Sequence, residues 1–352
     1  MLHKNNLLAI LYISFCLNTS MFGQKSYAIH TVAFYNLENL FDTINDVTKK
    51  DELSPMMEIK SNRKFIYQDK LSKLASVLTK IGSEQNFLPP AVIGVAEVEN
   101  RKVLEDLIAT APLNKYPYDI IHYDSPDQRG IDVALLYNKD IFRPTHSESI
   151  DVRLYKDGYK VDTRDILQIS GYLTNEKVHL IVNHWPSRRG GAKKSSILRE
   201  NVARKDLYIL EKIRKQEPEA KVIFMGDFND NPTDKSFKKV LKTEKSKKKV
   251  KKGELYNPFE NMFRKGYNTL TYRGEMFLFD QLFFTDNFIK NTNKPSTFKF
   301  YKAGIYNPSY MTLQKGKYKG SPKRSFSGGS YLGGYSDHYP VYIYLLQEIS
   351  PN

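Results

Sequence analysis

Among 352 residues there is one cysteine, Cys16, and one tryptophan, Trp185. Cys16 lies inside an N-terminal apolar stretch, and the bulky Phe15 before it does not suit a lipoprotein signal. The remainder of the chain therefore has no thiol for a disulfide or a thiolate metal site. Past that stretch no apolar run is long enough to cross a bilayer. The chain also lacks the Gly-x4-Gly-Lys-Ser/Thr pattern of a nucleotide-binding P-loop, and it lacks internal repeats. Disulfide scaffolds, membrane spans beyond the leader and P-loop chemistry are excluded, so the fold must rest on its apolar core.

That core is affordable in composition: 40% of the residues are hydrophobic, with a net charge of +15. Such a field attracts polyanions, whether nucleic acid or an anionic membrane surface, and says nothing about fold. Ten lysines crowd the segment from Lys235 to Lys252, which reads as a helix end and a solvated loop, or as a polyanion contact. Lys4, the apolar run Leu7 to Leu17 and the small and polar residues up to Gly23 have the layout of a secretory signal over 1–23. An exported protein is expected, secreted or periplasmic. A single domain is expected over 29–348, because no linker interrupts the alternation of strands and helices.

The periodicity predicts strands at Ile29–Tyr35, Ala91–Ala96, Ile131–Tyr137, Val178–Val182, Lys221–Met225, Phe277–Phe284 and Val341–Leu346. Helices are expected over Phe65–Ile81 and around Leu198, Val202, Leu207 and Leu210. Several of these apolar runs stop on polar residues. Asn36 and Glu38 follow the first strand, and extended backbone at that spacing would turn both to one face. Glu97 ends the second, with Glu99 expected to start a helix that Asn100 could cap. His184 follows the Val178 strand and precedes Arg188, Arg189 and a Gly pair, a setting suited to a phosphate. Asp227 and Asn229 follow the Lys221 strand and share one face at a spacing of two, while Asp230 or Asn231 could instead be turn residues before Pro232. Asp280 interrupts a very apolar strand and needs a partner such as a histidine. Asp337 and His338 precede the last strand. Carboxylates, amides and imidazoles without thiolate suit a hard divalent cation better than zinc.

This ordered set, with the phrases Asn-Leu-Glu-Asn-Leu-Phe-Asp, Arg-Gly-Ile-Asp-Val-Ala-Leu-Leu-Tyr, Asn-His-Trp-Pro-Ser-Arg-Arg-Gly-Gly, Gly-Asp-Phe-Asn and Ser-Asp-His-Tyr-Pro-Val, resembles the endonuclease/exonuclease/phosphatase superfamily, in its exported bacterial members. The resemblance spans nearly all of the chain after residue 23. It implies an α/β (α+β) fold, a deoxyribonuclease-like four-layer sandwich of two mixed β-sheets flanked by helices, with the site where strand ends meet. It implies hydrolysis of a phosphoester by water with Mg²⁺, or Mn²⁺ or Ca²⁺ in its place. By the same resemblance Asn36, Glu38, Glu97 and Asp337 are metal-side residues, and His184, Asp227, Asn229, Asp280 and His338 are catalytic. Asp280 would pair with His338, and either His338 or Asp227 would act as base. Arg129, Arg164 and Arg188 are candidate phosphate clamps. The expected activity is a nuclease on DNA or RNA, acting as a monomer without a stable protein partner. The alternatives are a phosphomonoesterase, a sphingomyelinase-like phospholipid phosphodiesterase, or a non-catalytic binding protein, which the intact set of site residues disfavours.

Overall fold

A computed structural model of the chain describes residues 26–156, 158–289 and 297–349, so the expected signal over 1–23 lies outside the described residues. Twelve strands build two six-stranded sheets. In chain order they are β1 (Ser26–Leu40), β2 (Val92–Val98), β3 (Tyr118–His122), β4 (Asp132–Asn138), β5 (Phe142–Ile150), β6 (Ile166–Leu173), β7 (Glu176–His184), β8 (Val222–Asp227), β9 (Leu255–Tyr256), β10 (Asp280–Thr285), β11 (Lys299–Ile305) and β12 (Val341–Ile349). One sheet has the order β11-β12-β1-β2-β4-β3 and the other β9-β10-β8-β7-β6-β5. Each is antiparallel except at its centre, where β1 runs parallel to β2 and β7 parallel to β8. A parallel pair needs a long crossover. Helix α1 (Arg63–Leu78) lies in the first, and α3 (Ala192–Gln216) makes the second; α2 (Arg101–Ile108) follows β2.

Strand alternation sorts the apolar side chains into layers. Ala33 and Tyr35 of β1 pack outward on Leu71 and Leu74 of α1 and Leu104 of α2. Val222 and Phe224 of β8 pack outward on Leu198 and Val202 of α3, beside Trp185. Val32, Phe34, Leu180, Val182, Ile223, Met225, Leu282 and Ile343 fill the space between the sheets. The result is helix, sheet, sheet, helix, and the central core decides where the chemistry goes. Asn36, His184 and Asp227 each come two residues after an inter-sheet residue (Phe34, Val182, Met225), so they continue its face to the end of the sandwich.

Two expectations about elements change. The run Phe277–Phe284 is not one strand: Glu275–Phe277 pairs in a small hairpin with Leu270–Tyr272, and β10 starts afresh at Asp280. Asp280 is thus a strand's first residue, directly across from Asp227 in the antiparallel register. The helix after β2 starts at Arg101, not at Glu99; Asn100 caps it, its side chain accepting from the Val103 N–H. In the lysine-rich segment, Ser236–Leu241 forms a π-helical turn that buries Phe237 and Leu241, and Lys238 pairs with Glu260 at 2.9 Å. Gly226 allows β8 to lie against β7, since a Cβ there would meet the Asn183 carbonyl oxygen at 2.3 Å.

Candidate active site

The Oδ2 atom of Asp227 is the centre of the polar cluster at the end of the sandwich. It accepts a hydrogen bond from Asn36 Nδ2 at 3.1 Å and lies 3.7 Å from His184 Nε2 and 3.9 Å from His338 Nε2. Its Oδ1 accepts from the Asn229 N–H at 2.9 Å. The Asn36 amide also reaches Glu97 Oε1 at 3.2 Å, while its own oxygen accepts from the Glu38 N–H at 2.9 Å. Asn36 therefore bridges two carboxylates in this arrangement, and its oxygen is turned away from them. The Asn229 side chain donates to the Trp185 carbonyl at 3.0 Å, which links the loop after β8 to the end of β7.

Three of these residues sit in left-handed backbone: Glu38 (φ 50°), Glu97 (φ 60°) and Asn229 (φ 51°). A non-glycine residue there is strained, and such strain collects at functional sites. At Glu97 it coincides with an irregularity in the pairing of β2 with both neighbours, between Ala96 and Val98. By plain alternation Glu97 would follow Val95 to the helix side. The bulge instead turns it into the site.

At Glu38 the same backbone turn has the opposite outcome. Asn36 and Glu38 do not address one ligand together, because the left-handed turn ends the alternation that would have put them on one face. The Glu38 carboxylate is buried and accepts from the N–H groups of Ser325 (2.5 Å) and Phe326 (3.1 Å), with Arg324 Nε at 3.4 Å. Burial, and Asp337 nearby, raise its pKa. Arg324 also reaches Asp337 Oδ2 at 3.1 Å, so it joins Glu38 to the site without placing Glu38 in it.

His338 and His184 differ in their surroundings. His338 Nδ1 is 2.7 Å from Asp280 Oδ2, and its N–H is held by Ser336 Oγ, which itself donates to the Asn36 carbonyl. Burial works against a charge on His338, but Asp280 in contact, with Asp227 and Asp337 behind it, outweighs burial and raises its pKa well above the ordinary value. His184 is equally buried, and there burial and the guanidiniums of Arg164 and Arg129 lower the pKa well below the ordinary value. Its Nδ1 has no partner among the described residues. Burial pushes Asp227 above the usual carboxylate range, against the pull of His338.

The three arginines are placed differently. Arg164 is buried, donating to Asp127 Oδ2 at 3.1 Å and to the Trp185 carbonyl at 2.6 Å. Arg129 reaches the same Asp127 at 3.0 Å and is half exposed. Both border a cavity of about 660 Å³ that also takes in Lys160, Arg189 and Lys194. Arg188 lies on the other side of the His184 loop. It donates to the Asn229 carbonyl, pairs with Asp230 and Asp234, and covers the Phe279 ring at 4.5 Å, so it braces that loop.

Sequence reasoning passed over several supports. Asp230, in the bend after β8, is buried and pairs with Arg199 at 2.7 Å. Asn231 accepts from the Leu278 N–H. Asp127 anchors two arginines, and Asn183 links Trp185 to the buried Asp206. A signal existed for Asp127, three residues before Gly130 and two before Arg129; none existed for Asp206, which lies in mid-helix.

The donor set fits a divalent cation. Glu97 and Asp337 are the carboxylates facing the opening, with 19% and 33% of their side chains exposed, whereas Asp227 and Asp280 are buried. Asp280 Oδ1 has no hydrogen-bond partner among the described residues. Oxygen donors at this density are the environment that Mg²⁺, Mn²⁺ and Ca²⁺ prefer.

A family model described as endonuclease/exonuclease/phosphatase family matches residues 31–347. No curated protein sequence matches the chain. Among solved structures, an endonuclease/exonuclease/phosphatase family protein from Bacteroides thetaiotaomicron is 17% identical, with a TM-score of 0.54, covering 92% of this chain and 97% of its own. A mannosyl-6-phosphatase from the same organism is 17% identical with a TM-score of 0.53, covering 90% and 99%. TDP2 of D. rerio, solved with a single-strand DNA product, is 16% identical with a TM-score of 0.52, covering 90% and 99%. These likenesses speak for the fold, and the family match spans both sheets and every residue of the cluster: the chain belongs to the endonuclease/exonuclease/phosphatase family.

Proposed function

We propose that the protein is a metal-dependent phosphodiesterase acting on nucleic acid, with water as nucleophile. The observation that carries this reading is the cationic cavity beside His184, where Arg129, Lys160, Arg164, Arg189 and Lys194 stand against only Asp127 and Asp162. A single phosphoryl group needs one or two of these cations. A strand that continues past the scissile phosphate can use more of them. TDP2, similar in fold, was solved with a DNA product, which supports testing this class first.

Glu97 and Asp337 would hold the metal. When bound, the cation neutralises the phosphate and stabilises charge on the leaving oxygen. The rest is the work of the chain's own groups. His338, kept protonated by Asp280, has no free lone pair on Nε2 and can only donate; it suits a phosphoryl oxygen. That leaves Asp227 as the base. Its raised pKa makes it a better proton acceptor than an ordinary carboxylate, and Asn36 and the Asn229 N–H hold it in place. His184 is held neutral and close to Asp227, and it can donate from Nε2 to the phosphate or the leaving oxygen. Arg129 and Arg164 would neutralise the substrate on the His184 side.

The test is a substrate panel with purified protein and Mg²⁺ or Mn²⁺: plasmid, single-stranded DNA, RNA, sphingomyelin and sugar phosphates, each with an EDTA control. Cleavage of nucleic acid that EDTA stops, and that weakens steeply with salt at subsaturating substrate, is the expected result. Intact nucleic acids beside a hydrolysed sugar phosphate would overturn the nuclease reading and favour a phosphomonoesterase, as the fold of the mannosyl-6-phosphatase allows.

A further inference from the structure

Behind Glu97, on the far side of the β2 bulge, lies a small cavity of about 80 Å³. Its lining brings together Asp46, Asp51, Glu99, Asp124 and Asp132, with Lys49 as the only cationic side chain in it. Its ammonium donates to the Ser125 carbonyl at 3.2 Å and its charge also acts on Asp46, so one lysine faces five carboxylates. Among the described residues, Asp46, Asp51, Glu99 and Asp124 have no cationic side chain at ion-pairing distance; Asp132 has His122 Nε2 at 3.0 Å. Repulsion alone makes such a group costly.

An independent observation points to what is missing. Asp51 is fully buried, and while its Oδ2 accepts from the Asp46 N–H at 2.8 Å, its Oδ1 has no partner among the described residues. A buried carboxylate oxygen without a donor is unfavourable unless it is protonated or meets a cation. Alongside it, His122, Asp124 and Asp132 offer ligand atoms that all lie within 4.8 Å of one another.

We propose that this cavity is a second metal site, separate from the catalytic one, that takes a divalent cation of the calcium class. Many oxygen donors from an irregular loop suit Ca²⁺, which accepts 6–8 ligands in flexible geometry, better than Mg²⁺, which demands near-octahedral order. The absence of thiolate argues against a structural zinc. The ion would join the loop carrying Asp46 and Asp51 to the end of β2 and to β4. That loop already leans on the same corner, since the Asp42 N–H donates to Glu99 at 2.7 Å, two residues from Glu97. The site would thus stiffen the backbone that aims Glu97, whatever substrate the enzyme takes.

The experiment uses the EDTA-stripped full chain, titrated with Ca²⁺ alone and followed by calorimetry and thermal unfolding. Wild type should bind Ca²⁺ and unfold at a higher temperature with it. Asp51→Asn and Asp124→Asn should each weaken that binding at least about tenfold. Glu97→Gln, a change in the catalytic cluster, should keep it. Should Asp51→Asn fail to fold, the exposed Asp124 decides by itself. Three results overturn the proposal: no Ca²⁺ binding by wild type at millimolar concentration, binding lost in Glu97→Gln but kept in Asp124→Asn, or equal competition by Mg²⁺.

Discussion

His338 and His184 stand on either side of one carboxylate oxygen, at 3.9 and 3.7 Å from Asp227 Oδ2, and are buried alike. His184 ends β7 of one sheet, His338 precedes β12 of the other, and the two are set to different charge states. His338 leans on Asp280; His184 lies beside Arg164 and Arg129 and, among the described residues, has no acid on its Nδ1. Burial lowers the pKa of both, so burial cannot explain the difference. The neighbours explain it. Two copies of one side chain can be divided into a charged donor and a neutral one by the strand ends that surround them.

The comparison breaks most completely if the shared oxygen is lost. Asp227→Asn should lower kcat about 10⁴-fold, the upper end of what a general base contributes, with little change in Tm. A fall of less than tenfold would remove Asp227 from the role of base. Next come the imidazoles themselves. His338→Ala and His184→Ala should each cost about 10²–10³-fold in kcat, read by single-turnover kinetics. The two should separate in pH dependence: His184→Ala leaves the Asp280–His338 pair intact and keeps the alkaline limb that this pair sets, while His338→Ala abolishes it.

Asp280→Asn sharpens the contrast at lower cost. The folded pKa of His338 is raised above its unfolded value of about 6.5. The stability it contributes is therefore full below that value and is lost as pH rises through the folded pKa. With Asn at 280 this contribution should vanish, so urea unfolding of wild type and variant should differ most at pH 6 and converge at alkaline pH. A constant gap across pH would show that Asp280 is only a packing residue.

The smallest effect concerns the support under His184. Asp206 is fully buried in α3, and burial raises its pKa well above the ordinary value despite the amide of Asn183. Because its folded pKa is raised, it costs stability once pH passes the unfolded carboxyl value of about 4. Asp206→Asn should thus stabilise by about 1 kcal/mol at pH 8 and not at pH 4, measured as Tm. A lower Tm at pH 8 would mean that the charge itself is needed by Asn183 and Trp185.

Much of this site could be read from the chain, and the reason is the alternation of strands. Asn36, His184 and Asp227 follow inter-sheet residues at a spacing of two, so the face that carries the core also carries the chemistry. A buried acid such as Asp280 needs a partner, and the family resemblance named His338 for it. What stayed hidden is where alternation stops. The left-handed turns at Glu38 and Glu97 have no sequence mark such as glycine, and they send one carboxylate away from the site and the other into it. Arg324 and Ser336 were equally silent, because their roles depend on contacts made across more than 280 residues of chain.

The most direct test compares a phosphodiester with its monoester, bis(4-nitrophenyl) phosphate against 4-nitrophenyl phosphate, at saturating Mg²⁺ with wild type and Asp227→Asn. A phosphodiesterase with Asp227 as base should turn over the diester in preference, lose that turnover in Asp227→Asn, and lose it again with EDTA. Preference for the monoester, or diester turnover that survives both the substitution and EDTA, would contradict it.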